Sequence, residues 1–165
     1  KQAHTMPDTA TAHLAPPPLS HVCDLFVDLD PIREMGHGRA GQRRIIPIIG
    51  GQVRGPMLNG RIMNLGADWQ TIWANDVAEL DTRYAMETDD GAVIEIRNYG
   101  YRHGPADVLK AVAQGQDVSP DSYYMRTHAR LECGDPRYEW VNRTLFVGRG
   151  ARLQQQVVVS LYALG

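Results

Sequence analysis

Asp68 stands in the segment Gly66-Ala67-Asp68-Trp69-Gln70, a carboxylate between small residues and an indole. Removing a carboxylate from water disfavours its charged form, so an aromatic neighbour raises its pKa toward the range where it can take up and return protons. Small neighbours also let a ligand approach the backbone. The same five residues fit a second reading, in which Asp68 accepts from turn amides and Trp69 fills core.

Two further segments carry polar groups in phase. In Tyr123-Tyr124-Met125-Arg126-Thr127-His128, residues Tyr124, Arg126 and His128 share one face of a strand. Facing inward, such a stripe binds a carboxylate, a phenolate or an enolate, since a guanidinium offers a planar fork of donors. Facing outward, it is a solvated or interface surface. Met125, Thr127, Ala129 and Leu131 form the more apolar alternate face, which favours the outward orientation. Tyr84 lies on an apolar face and is a candidate buried hydroxyl. Trp140 and Asn142 are in phase with each other, an aromatic wall with an amide beside it.

Other chemistries lack their motifs. There is no nucleophile elbow, no dinucleotide fingerprint and no His-x-x-x-His pair, and the six histidines have no ligand spacing. No metal or cofactor is therefore expected. Gly36-His37-Gly38-Arg39-Ala40-Gly41 lacks the Lys-Ser/Thr ending of a phosphate loop and reads as a flexible connection. Cys23 and Cys133 are too few and too far apart for a disulfide framework or a zinc site, and both are expected to be unpaired thiols. Asn142-Arg143-Thr144 matches the glycosylation acceptor pattern. A net charge of −2 without a basic patch argues against nucleic acid, and no run reaches the roughly 18 apolar residues of a membrane helix. A cytoplasmic location is favoured over a secreted one.

The elements that position these residues are mostly strands. Residues 1–20, with Pro16-Pro17-Pro18, read as an extended arm, and residues 21–165 as one domain. Cys23 to Leu29 alternates with period two until Pro31. Arg43 to Ile49 is β-branched with an internal proline, which marks an edge or a bulge. Strands follow at 52–54, 58–65 and 69–74. Ala78, Leu80, Thr82, Tyr84 and Met86 then share one face of a longer strand, opposite Glu79, Asp81, Arg83 and Glu87. Asp89-Asp90-Gly91 predicts a hairpin into a strand from Ala92 to Tyr101. Pro105 to Gln114 is the one helical pattern, and strands are expected at 122–133, 138–147 and 153–163. Eight to ten strands with one short helix predict an all-β fold, a single antiparallel barrel that leaves no exposed edges.

Five stretches in order carry a resemblance: Arg43 to Gly60, Gly66 to Gln70, Arg83 to Gly91, Tyr123 to Thr127 and Tyr138 to Gly148. Together they resemble the uncharacterised protein family 0311, also called domain of unknown function 3237, from about His21 onward. Where that family usually has a glycine pair before Ala-Asp-Trp-Gln, this chain has Leu65 before Gly66. The resemblance implies a lipocalin-like barrel but no known reaction. It also implies that Asp68, Trp69, Arg83, Tyr84, Arg126, Trp140 and Asn142 belong to one site.

Three functions fit this reading. In the first, a cofactor-independent enzyme performs lyase, hydratase or isomerase chemistry on a small, partly apolar molecule. Asp68 is the acid/base, Tyr84 a hydroxyl donor and Arg126 the anion stabiliser, while Trp69, Arg83, Tyr124, Trp140 and Asn142 bind substrate. In the second the barrel carries a small hydrophobic ligand without catalysis, and in the third it is a filled scaffold. A surplus of apolar strand faces, with net charge near zero, predicts a homodimer.

Overall fold

A computed structural model describes residues 13–165. Residues 1–12 of the expected arm lie outside the described residues. Residues 13–18 have no regular structure, and Leu19 begins the first strand.

Ten strands follow: β1 Leu19–Leu29, β2 Arg33–His37, β3 Gln42–Arg54, β4 Gly60–Ile62, β5 Ala67–Ile72, β6 Ala78–Thr88, β7 Val93–His103, β8 Tyr124–Glu132, β9 Phe146–Arg152 and β10 Gln156–Leu164. The single α-helix among the described residues, α1, spans Ala106–Ala113. The sheet runs β1-β10-β9-β8-β7-β6, continues through β5 and β4 to β3, and β3 pairs back onto β1. All pairings are antiparallel. The result is a closed eight-stranded barrel with two more strands outside it, as the alternation predicts. No described helix is long and apolar enough to cross a membrane.

Pro47 shows how the chain accommodates a proline inside a strand. On one edge its strand β3 pairs with β2 up to Ile45 and with β1 from Ile48 onward, so Pro47 falls in the gap between them, while on the other edge it pairs with Ala67 of β5. No ladder hydrogen bond is lost there.

Two local expectations are corrected. The segment 138–147 is not one strand: two short 3-10 helical turns, separated by a kink at Tyr138, occupy Pro136–Arg143 before β9 begins. Asp135 starts the first of them, its carboxylate accepting from the backbone N–H of Arg137, with Pro136 in the first turn. The Gly36-to-Gly41 segment is not wholly a loop, because Gly36 and His37 still pair with β3.

The two barrel ends differ. At one end Trp140 and Tyr138 pack on the main core, and the Trp140 ring lies 6.1 Å from that of Phe146. Below mid-barrel the interior is filled by Met86, Ile94, Ile96, Leu131 and Leu161. At the other end α1 lays Val108, Leu109 and Val112 against Ala78, Leu80, Tyr123 and Met125. This end stays open beside the helix. Cys23 and Cys133 are both buried, free thiols.

Candidate functional site

The inner walls of β5, β6 and β7 place Asp68, Thr82 and Asn98 side by side. Asp68 pairs with Thr82, and Thr82 with Asn98. Because side chains alternate, these three form one polar row across three strands. Tyr84 projects from the next inward position of β6, and Thr127 from β8. All five line a cavity of about 50 Å³. That space shares Ile46, Arg102 and Arg152 with a wider one of about 480 Å³ at the mouth beside α1.

Asp68 is only 7% exposed. Its Oδ1 accepts from the backbone N–H of Asp81 at 2.9 Å, and its Oδ2 from Gln70 Nε2 at 2.9 Å. Arg44 in turn donates from Nε to Gln70 Oε1 at 2.9 Å. Burial pushes the Asp68 carboxyl above the ordinary carboxylate range, against the opposing pull of those two donors and of Arg102. Burial likewise raises the Tyr84 hydroxyl. The two effects place a carboxyl group able to hold a proton near a phenol that keeps its own.

Asn98 and Thr127 are 3% and 8% exposed, yet Asn98 Oδ1 and Thr127 Oγ1 have no hydrogen-bond partner. Most buried polar atoms are paired, so two orphans facing one cavity mark a place where a ligand or water supplies the partner. The inner face of β9 carries glycine at the matching level. A Cβ on Gly148 would lie 2.3 Å from Thr127 Oγ1, so only glycine leaves Thr127 its place.

The residues singled out in the sequence separate into three groups. Asp68 and Tyr84 share the cavity. Trp69, Arg83, Tyr124 and Arg126 are on the outer surface. Trp69 is 44% exposed, Arg83 pairs with Glu95, Tyr124 stacks on His103, and Arg126 lies over the Tyr124 ring. Arg126 thus takes the outward orientation that its apolar neighbours favour, and it does not reach Asp68's cavity. Trp140 and Asn142 sit at the plugged end. The Asn142 amide donates to Cys133 O and accepts from Cys133 N, bracing the turn after β8.

Six residues that the sequence reading passed over complete the site: Arg44, Gln70, Asn98, Arg102, Thr127 and Arg152. Asn98 is in phase with Ile94 and Ile96 on its strand, and Thr127 with Met125, Ala129 and Leu131, whereas Gln70 is in phase with Asp68. For Asn98 and Thr127 that signal is present in the alternation, whereas Arg102 and Arg152 lie just outside the strands that the sequence predicts. Among the described residues no group of three or more His, Cys, Asp or Glu side chains could hold a metal ion.

The chain is 40% identical over 142 residues to a UPF0311 protein of Rhodopseudomonas palustris, covering 86% of this chain and 93% of that protein. A crystal structure from the same organism, of a conserved protein of unknown function, superimposes with a TM-score of 0.88 at 38% identity, covering 92% of this chain and all of that one. A β-barrel-like protein of Acinetobacter baumannii is 45% identical, with a TM-score of 0.79 over 93% of this chain and all of that one. An enzyme from Penicillium herquei shares the fold alone, with a TM-score of 0.71 at 17% identity over 93% of this chain and 98% of that one. The model of the family described as protein of unknown function, DUF3237, matches residues 17–164. With the same closed barrel and nearly the whole length matched, the chain belongs to the DUF3237 family.

Proposed function

We propose that the protein is an enzyme that moves a proton on a small, partly apolar carbonyl compound held in the barrel, with Asp68 as the acid/base. The observation that carries this reading is the buried Asp68 carboxyl facing a cavity, with its pKa raised by desolvation. A carboxylate in that setting removes a proton from the carbon next to a carbonyl. The electron pair moves to the carbonyl oxygen, and the Tyr84 hydroxyl donates to it. In a β,γ-unsaturated substrate, returning the proton to the γ-carbon as the enolate re-forms the carbonyl shifts the double bond, and in a β-hydroxy substrate the hydroxyl leaves with that proton as water. Asp68 carries the proton in both cases. The apolar side chains around the row keep bulk water away from the intermediate. That an enzyme of Penicillium herquei is built on the same barrel supports the fold's capacity for catalysis, an argument by analogy.

Deuterium uptake tests this without knowledge of the substrate. The protein is incubated in D₂O with a panel of small ketones and keto acids, and exchange at the carbon next to the carbonyl is followed by mass spectrometry. Exchange above background that is lost in Asp68→Asn is the expected result. Saturable binding of the panel with no exchange would instead favour the carrier reading, in which the filled lower core and the inner cavity serve retention alone.

A further inference from the structure

Four cationic side chains line the mouth: Arg44 from β3, Arg102 from β7, Lys110 from α1 and Arg152 from β9. Opposite them stand two carboxyl groups, Asp76 on the mouth wall and Asp68 below. Glu34 acts on Arg44 from outside the cavity. The positive charge at this end therefore exceeds what the protein supplies to balance it.

The three guanidiniums feel one another. Burial, then the like charges of Arg44 and Arg152, lower Arg102 to about 10, although Asp68 and Tyr123 pull the other way. Arg152 is lowered by burial and by Arg44. Arg44 is lowered by burial alone, against Glu34 and Asp68. Arg44 spends its donors on Gln70, whereas Arg102 forms no ion pair among the described residues. Converging, partly desolvated guanidiniums that repel one another lose free energy of repulsion when an anion enters between them, and a planar fork matches a carboxylate with two parallel hydrogen bonds. The mouth has the volume of ordinary small-molecule sites. Beyond it the orphan acceptors Asn98 Oδ1 and Thr127 Oγ1 face the inner space.

From this arrangement we infer that the ligand is a small carboxylate, its anionic group held in the mouth by Arg102 and Arg152 and its other end directed down toward Asn98 and Thr127. The inference deepens the proposed function, since it names the substrate class of the same cavity. Asp68 does not contribute to anion binding and lies below the carboxylate, beside the part of the ligand that reacts.

Benzoate and its neutral isostere benzamide serve as probes, measured by isothermal titration calorimetry at constant ionic strength. Benzoate is expected to bind saturably and benzamide at least about tenfold more weakly. Arg102→Gln should weaken benzoate about tenfold or more, and Arg102→Lys should restore part of that loss. Arg126→Gln, on the outer face, should leave it unchanged. Circular dichroism confirms that each variant retains the barrel. Equal binding of the two probes, no saturable binding of benzoate, or benzoate affinity untouched by Arg102→Gln would each overturn the inference. The failure of the catalytic reading is separable: Asp68→Asn should still bind benzoate, so benzoate binding without any deuterium exchange removes the acid/base role and leaves the anion site. Exchange on neutral ketones without benzoate binding does the reverse.

Discussion

Gln70 donates from Nε2 to Asp68 Oδ2 at 2.9 Å while its own Oε1 is held by Arg44. The amide cannot turn over, because Arg44 has no acceptor and must face the oxygen. Gln70 therefore always presents a donor to Asp68, and it stabilises the ionised carboxylate against the burial that opposes it. Two residues apart on β5, the pair projects into the barrel from one strand face.

Gln70→Leu removes that donor at similar volume. Asp68 should then titrate at higher pH than in the wild-type protein, measured by carbon NMR of its side-chain carboxyl. An unchanged titration would mean that the backbone N–H of Asp81 alone sets the ionised form.

The buried Asp68 also couples stability to pH. Its folded pKa is raised, so the folded state binds this proton more tightly than the unfolded chain does. The contribution is fully present below the unfolded value of about 4 and is lost as pH rises through the folded pKa. Urea unfolding at a series of pH values should show this component of stability falling above about pH 4. In Asp68→Asn the component should be absent, so the difference between variant and wild type shifts in favour of the variant as pH rises.

Thr127→Val keeps the side chain's shape and removes a hydroxyl that has no partner. Deleting an unsatisfied buried polar atom is neutral or stabilising, by up to about 1 kcal/mol. Chemical denaturation should give a midpoint at or above that of the wild type, contrary to the usual loss for a core substitution.

Asn142→Ala should destabilise by about 1–2 kcal/mol, because Asn142 makes two hydrogen bonds to the backbone of Cys133 and the Cys133 residue is buried. Benzoate affinity should not change, since Asn142 is at the plugged end. A large loss of affinity would place it closer to the ligand than its contacts allow.

The barrel was legible because period-two alternation survives almost unbroken in β1, β6, β7 and β8, and Leu80, Tyr84 and Met86 face inward as their phase requires. The Tyr138-to-Val147 segment was not, because its aromatic residues suit a strand equally well and the deciding contacts, Asp135 to the Arg137 N–H and Asn142 to Cys133, are side-chain hydrogen bonds. Of the residues that line the cavity, Asp68 was legible from its chemistry and Tyr84 from its place on an apolar strand face, whereas Arg102 and Arg152 were hidden by distance along the chain. Their strands, β7 and β9, flank β8, and a guanidinium at a strand end looks like ordinary surface until the mouth around it is assembled. The Trp69 ring was misleading for a simple reason: adjacent residues on a strand face opposite ways, so the indole next to Asp68 in sequence cannot be the wall next to it in space.

The closing pairs set an order on synthesis. β1 lies between β10 and β3, with Leu19 opposite Leu164. A growing chain can zip β6 to β7 and β7 to β8 as each hairpin emerges, since those partners are neighbours in sequence. It cannot seal β1 until β10 has left the ribosome, so one long edge and the apolar side behind it stay open to other chains through most of translation. Sequence-distant pairing of this kind slows folding and lengthens that exposure. Yield of the folded protein should therefore depend on how quickly β10 docks, and a chain stopped before Gln156 would leave β1 and β9 as two unpaired edges at once.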